Sequence, residues 1–132
     1  MLGSVLVVDD NAFVRQAVTR LFKSQRDFEV CGEAHNGQLA IEAAQRLHPD
    51  LIVMDISMPV MNGIEASRVL KVVLPKTPII VFSDYSDALT EQDADSAGIS
   101  ARVSKGGSLS ALLGKARSLL HRSRKNKARR QS

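Results

Sequence analysis

Apolar and polar positions alternate along this chain in two rhythms. Short, nearly unbroken apolar runs stand at Val5–Asp9 (closed by the acid), Phe28–Ala34, Leu51–Met54, Ile79–Phe82 and, more weakly, Ile99–Ser104. Between them apolar residues recur every three or four positions, the spacing of one helix face. The first such stretch follows Asn11, a capping residue type, and sets Phe13, Val14, Ala17, Val18, Leu21 and Phe22 on one side. The second opens at Asn36-Gly37, presents Leu39, Ala40, Ala43, Ala44 and Leu47, and stops at His48-Pro49-Asp50. A loop with Pro59 and Asn62-Gly63 leads to the third, whose inner side is read as Ile64, Val69, Leu70 and Val73, with Pro75 and Pro78 at its exit. Residues 87–97 are polar and predict only a weak helix. Ser108 caps a last helix bearing Leu109, Leu112, Leu113, Ala116, Leu119 and Leu120.

Strand and helix thus alternate five times. Strands that are apolar throughout must be covered on both faces. Alternation with helices implies parallel pairing through right-handed crossovers. The pattern predicts an α/β fold, a three-layer sandwich of (βα)5 type.

The 132 residues suffice for one domain, and 44% hydrophobic with 24% charged residues is ordinary globular composition. The single cysteine, Cys31, excludes an internal disulfide and a four-cysteine zinc site, and its place in a strand reads as core. Apolar runs of four or five residues leave no room for a membrane-spanning helix or a secretory signal, so a soluble, cytoplasmic protein is expected. The net charge of +4 is unevenly spread. Residues 121–132 carry six of the 18 Lys and Arg and no acid, so the body nets −2. The expected organisation is a domain over 1–120 and a basic tail over 121–132. The tail reads as an extension of the last helix or a disordered end. Contact with nucleic acid, or with an anionic membrane surface, stays open through the tail alone. It holds no aromatic residue, which argues against base stacking.

In parallel sheets ligands bind beyond the carboxyl ends of the strands. The first strand here ends in Asp9-Asp10, the third in Asp55, the fourth in Ser83, and the fifth near Lys105. Each alone has a plain structural explanation as a cap, a turn residue or a surface charge. Together they place three carboxylates, a hydroxyl and an ammonium along one edge. Clustered carboxylates raise one another's pKa unless a cation joins them. Oxygen ligands suit Mg²⁺, which shares its shell with phosphate oxygens. An Asp carboxylate can itself attack phosphorus. His35, His48 and His121 do not fall at these strand ends.

The segments VLVVDDNAFVR, DLIVMDISMPVMNGIEA, PIIVFSD and VSKGGS resemble the receiver domain of bacterial two-component response regulators. The match covers roughly residues 4–120. Details around Asn11, Ala34–Gly37 and Ser83–Asp87 are similar to the NarL/FixJ-type branch, here without its DNA-binding domain. The resemblance implies a flavodoxin-like sheet of order 2-1-3-4-5. It implies that Asp55 accepts a phosphoryl group from a sensor histidine kinase or phosphotransfer protein, or from a small donor such as acetyl phosphate. Asp10, Asp55 and the backbone carbonyl of Ser57 would ligate Mg²⁺ (or Mn²⁺), with Asp9 assisting through water. Lys105 would pair with Asp55 and then with the phosphoryl oxygens. Ser83 would report the phosphoryl group's arrival to a surface of the fourth helix, fifth strand and fifth helix. Such a domain catalyses only its own phosphorylation and dephosphorylation and is not otherwise an enzyme. Homodimer formation is a further expectation.

Three positions depart from the family pattern. Arg102 stands three residues before Lys105, where an aromatic switch residue is usual; Ser83 and Arg102 are thus the switch candidates. Gly106-Gly107 replaces a common proline. Asp84 follows the switch hydroxyl, where a small residue is usual, and is expected to latch onto Arg102; Tyr85 is the only tyrosine. These departures keep open a degenerate receiver that acts as a phosphorylation-independent interaction module. A phosphohydrolase is disfavoured, because Ser57 stands where such enzymes place a second acid. The chain is read either as a stand-alone receiver or as a piece of a longer regulator.

Overall fold

The computed structural model describes residues 2–84 and 91–131, with the side chains of 91, 92 and 127–131 left out. Its elements run β1 (Gly3–Val8), α1 (Ala12–Lys23), β2 (Phe28–Ala34), α2 (Gly37–Leu47), β3 (Leu51–Met54), α3 (Gly63–Val73), β4 (Ile79–Ser83), α4 (Glu91–Ala97), β5 (Ala101–Ser104) and α5 (Leu109–Gln131). The five strands pair in parallel in the order β2-β1-β3-β4-β5. This is the expected doubly wound sheet. The order reverses beside β1, which opens a crevice between the ends of β1 and β3.

Alternation along the strands explains the unbroken apolar runs. Val5 and Val7 of β1 join Val53, Ile80 and Phe82 in a core completed by Val18 and Phe22 of α1 and Leu112 and Ala116 of α5. Leu6 and Val8 point the other way, onto Ile52, Met54, Ala40 and Ala44 of α2 and Leu70 of α3. A smaller cluster joins Val81 to Ile56, Ala97 and Ile99. Every residue of β3 is buried, so no alternation could show in its sequence. Phe22 and Phe28 meet edge to face at 5.0 Å, and the Arg117 guanidinium lies over Phe28 while pairing with Asp27.

The helix faces needed correction. Phe13 is 85% exposed, and Ala17, Val69, Val73 and Leu109 also face outward. The buried stripe of α1 is Val18, Thr19 and Phe22, and that of α3 is Gly63, Ala66, Ser67 and Leu70. At about 100° per residue, Phe13 and Val69 lie well off these stripes, and a helix on a flat sheet buries only a narrow one. Asn11 caps α1 by accepting from the Phe13 and Val14 amides, as expected. Cys31 is half-buried at the β1–β2 register shift, where its thiol reaches the Val5 carbonyl at 3.4 Å. The expected helix over 87–97 is present from Glu91; residues 87–90 lie outside the described residues. α5 continues as one helix to Gln131, past Leu120, its last buried residue among those described. No helix among the described residues is long and apolar enough to cross a membrane.

Candidate functional site

The carboxyl edge of the sheet gathers the chemistry because each strand's last hydrogen bonds fix the residue that follows. The Asp9 amide donates to the Ala34 carbonyl at 3.1 Å, and the Asp55 amide to the Val8 carbonyl at 3.0 Å. Both acids are thereby held one residue beyond β1 and β3. The Lys105 amide donates to the Ser83 carbonyl at 2.8 Å, tying the end of β5 to that of β4. Lys105 Nζ then reaches Asp9 Oδ2 at 3.0 Å and Asp55 Oδ2 at 3.4 Å. One carboxylate oxygen each of Asp9, Asp10 and Asp55 lies within 4.8 Å of the others. Asp9, Asp55 and Ser83 are buried, whereas Asp10 is exposed.

Three carboxylates face one ammonium, and the ionisation shows the imbalance. Burial, and then the charge of Asp9, push the Asp55 carboxyl up from its ordinary 3.8 to about 6, against the pull of Lys105. Burial works against the Lys105 ammonium, but its hydrogen bond and charge contact with Asp9, joined by Asp55, hold it above its ordinary value. A divalent cation among the acids would relieve the remaining repulsion. Hard oxygen donors of this number fit Mg²⁺, which completes its shell with waters and substrate phosphates.

The loop after Asp55 is shaped by close approach. A side chain at Gly63 would collide with the backbone carbonyl of Asp55, and the Gly63 amide donates to the Ile56 carbonyl at 2.8 Å. Only glycine lets the start of α3 lie this close to the Asp55 backbone. Met61 donates back to the Pro59 carbonyl at 2.8 Å, closing a three-residue turn over Val60. Val60 adopts φ of 70°, a rare and strained conformation for a β-branched residue. Asn62 then caps α3 through the Glu65 amide.

The response regulator receiver domain family model matches residues 5–117. The chain belongs to the receiver domains of response regulators. A protein-glutamate methylesterase/protein-glutamine glutaminase of Nocardioides sp. is 44% identical over 103 residues, covering 76% of this chain and 28% of that protein. One from Photobacterium profundum is 47% identical over 94 residues, covering 71% and 23%. The chain therefore spans about a quarter of the length of these curated relatives. Among solved structures, the response regulator domain of Thermotoga maritima CheB superposes with a TM-score of 0.83 at 36% identity, over 92% of this chain and 98% of that one. The signal receiver domain of NarL from Mycobacterium tuberculosis gives 0.78 at 26% identity, over 88% and 97%. These likenesses establish the receiver domain of a two-component response regulator, with CheB-type relatives prominent; they do not single out the NarL/FixJ-type branch.

The receiver brings Asp9, Asp10, Asp55, Ser83 and Lys105 to one edge, as their strand-end positions imply. Ser57 stands exposed two residues past Asp55. Arg102 lies on β5 opposite Val81 and is exposed. Tyr85 and Asp87 lie outside the described residues. Lys105 pairs with Asp55, as the resemblance implies, and contacts Asp9 more closely still, a partner the expectation did not name. Sequence reasoning passed over Arg15, which binds the Asp9 carbonyl, and Glu33, which pairs with Arg15. An acid at the penultimate position of the strand beside β1, with a cation one turn into α1, is the signal that could have found them.

Proposed function

We propose that the chain is a phosphoacceptor switch. Asp55 takes a phosphoryl group from a phosphohistidine of a sensor histidine kinase or phosphotransfer protein, or from acetyl phosphate, in a reaction that depends on Mg²⁺ or Mn²⁺. The observation that carries this reading is a buried Asp55 carboxylate within ion-pair reach of Lys105 and in one oxygen cluster with Asp9 and Asp10. Asp10, Asp55 and the Ser57 carbonyl would hold the cation directly, with Asp9 acting through water. Bound there, a divalent cation supplies charge neutralisation for the phosphoryl oxygens.

The residues divide the remaining work. An Asp55 carboxylate oxygen forms the new P–O bond as the P–N bond to the donor imidazole breaks. The imidazole keeps that electron pair and is left to take up a proton. Lys105, already held between Asp9 and Asp55, supplies a mobile positive charge for the incoming phosphoryl oxygens. Ser83 donates its hydroxyl hydrogen to one of them. Phosphorylation adds about −1.5 to −2 charge and three strong acceptors. Two charge-assisted bonds at about 1.5–3 kcal/mol each approach the roughly 5.5 kcal/mol that a near-complete switch requires. Their pull on β4 and β5 would bias the surface of α4, β5 and α5, including Arg102.

The esterase and glutaminase activities in the relatives' names attach to proteins about four times as long as the match, and the proposed chemistry needs neither. A cytoplasmic location belongs to the same proposal. Incubation with acetyl phosphate and Mg²⁺ should give an acid-labile phosphoprotein, absent in Asp55→Asn and absent with EDTA. Labelling that persists in Asp55→Asn, or none in the wild type, overturns the proposal; the second result leaves the phosphorylation-independent interaction module.

A further inference from the structure

The peptide joining Asp9 to Asp10 is gripped from outside the acid cluster. Asp9 is buried and Asp10 is exposed, yet both offer an oxygen to the same cluster. The plane of the peptide between them sets where the Asp10 side chain begins. Its carbonyl oxygen, that of Asp9, accepts a hydrogen bond from Arg15 Nη1 at 2.8 Å. Arg15 Nε lies 3.3 Å from Glu33 Oε1. Arg15 stands in the first turns of α1, and Glu33 is the penultimate residue of β2. The guanidinium is therefore steadied by the neighbouring strand while it holds the loop after β1.

The other polar atoms of Asp9 are also engaged. Its amide donates to the Ala34 carbonyl at 3.1 Å, Oδ1 accepts from the Asn11 amide at 2.9 Å, and Oδ2 meets Lys105 at 3.0 Å. Arg15 supplies the contact to the one remaining atom, the carbonyl oxygen. A planar guanidinium suits this double task because separate nitrogens serve separate acceptors; a lysine ammonium is a point charge.

We infer that Arg15, steadied by Glu33, is a positioning residue that orients the Asp9–Asp10 peptide so that the three carboxylates converge on one cation. This rests on the proposal that the acid cluster binds Mg²⁺. The inference has a sign that separates it from simple electrostatics. A positive charge near the cluster repels a cation, so on charge alone removing Arg15 would tighten binding. Loss of orientation does the opposite.

The test is calorimetric titration of Mg²⁺ into the full chain, with Mn²⁺ binding followed in parallel by electron paramagnetic resonance, for the wild type, Arg15→Ala and Arg15→Lys. Both variants should bind more weakly by about tenfold or more, as is usual when a group that orients a metal ligand is removed. Arg15→Lys keeps the charge and the helix, so it remains informative should Arg15→Ala fail to fold. In labelling by acetyl phosphate, the Mg²⁺ needed for half the maximal rate should rise, with the rate at saturating Mg²⁺ within about twofold of wild type. Unchanged or tighter binding by Arg15→Ala, or wild-type affinity in Arg15→Lys, overturns the inference. Absence of Mg²⁺ binding in the wild type overturns the cation proposal beneath it instead.

Discussion

Replacing Asp55 by Asn should make the metal-free protein more stable at neutral pH. The Asp55 carboxyl is raised from its ordinary 3.8 to about 6 by burial and by the charge of Asp9. Between those values the native state binds a proton that the unfolded chain has released. Stability therefore falls as pH rises through that window, because its slope follows protons bound by the unfolded state minus those bound by the native state. Above about pH 6 the full penalty is present, worth about 2–3 kcal/mol at 1.36 kcal/mol for each tenfold change in proton affinity. Asn keeps the shape without the charge and leaves Lys105 paired with Asp9. For a domain of this size the gain corresponds to a rise of about 8–12 °C in thermal midpoint. Thermal melts in EDTA at pH 4.5 and pH 7.5 measure it. The gap between wild type and variant at the lower pH should be about a third of that at the higher. Excess Mg²⁺ should then narrow the gap, since a ligand of the native state stabilises the wild type by mass action. A variant no more stable than wild type at pH 7.5, or equally displaced at both pH values, would refute the electrostatic account of the site.

Two further outcomes follow from the loop that carries this carboxylate. Gly63→Ala places a methyl group against the Asp55 backbone carbonyl and should cost about 3 kcal/mol by overpacking, read as a lower denaturation midpoint with unchanged slope in urea. Val60→Gly releases a β-branched residue from φ of 70°; the strain relieved exceeds the added entropy of the unfolded chain, so a gain of about 1 kcal/mol is expected in the same assay.

What could be read in the chain and what could not divide along physical lines. Strands and helices were legible because burial on both faces of a parallel sheet demands unbroken apolar runs, and Leu51–Met54 meets that demand at every residue. The five polar residues at the carboxyl edge were legible for a related reason. A strand's end is a position set by backbone hydrogen bonding, so Asp9, Asp55, Ser83 and Lys105 inherit their meeting point from the sheet's topology. Helix faces were less legible. Phe13 and Val69 fit an apolar spacing yet face outward, since spacing shows that a stripe exists and packing decides where it is centred.

The chain's own pattern, then, determined the layers, and its likeness to a family added the strand order and the proposed roles of the polar groups at the carboxyl edge. Only the folded molecule decided how those groups share charge. Lys105 sits nearer to Asp9 than to Asp55, Gly63 lies against the Asp55 carbonyl, and Arg15 grips the Asp9–Asp10 peptide from beside Glu33. These are differences of an ångström or less between residues up to about a hundred positions apart. Local preference fixes dihedral angles, whereas such distances are the sum of many angles and close only when the whole sheet is assembled.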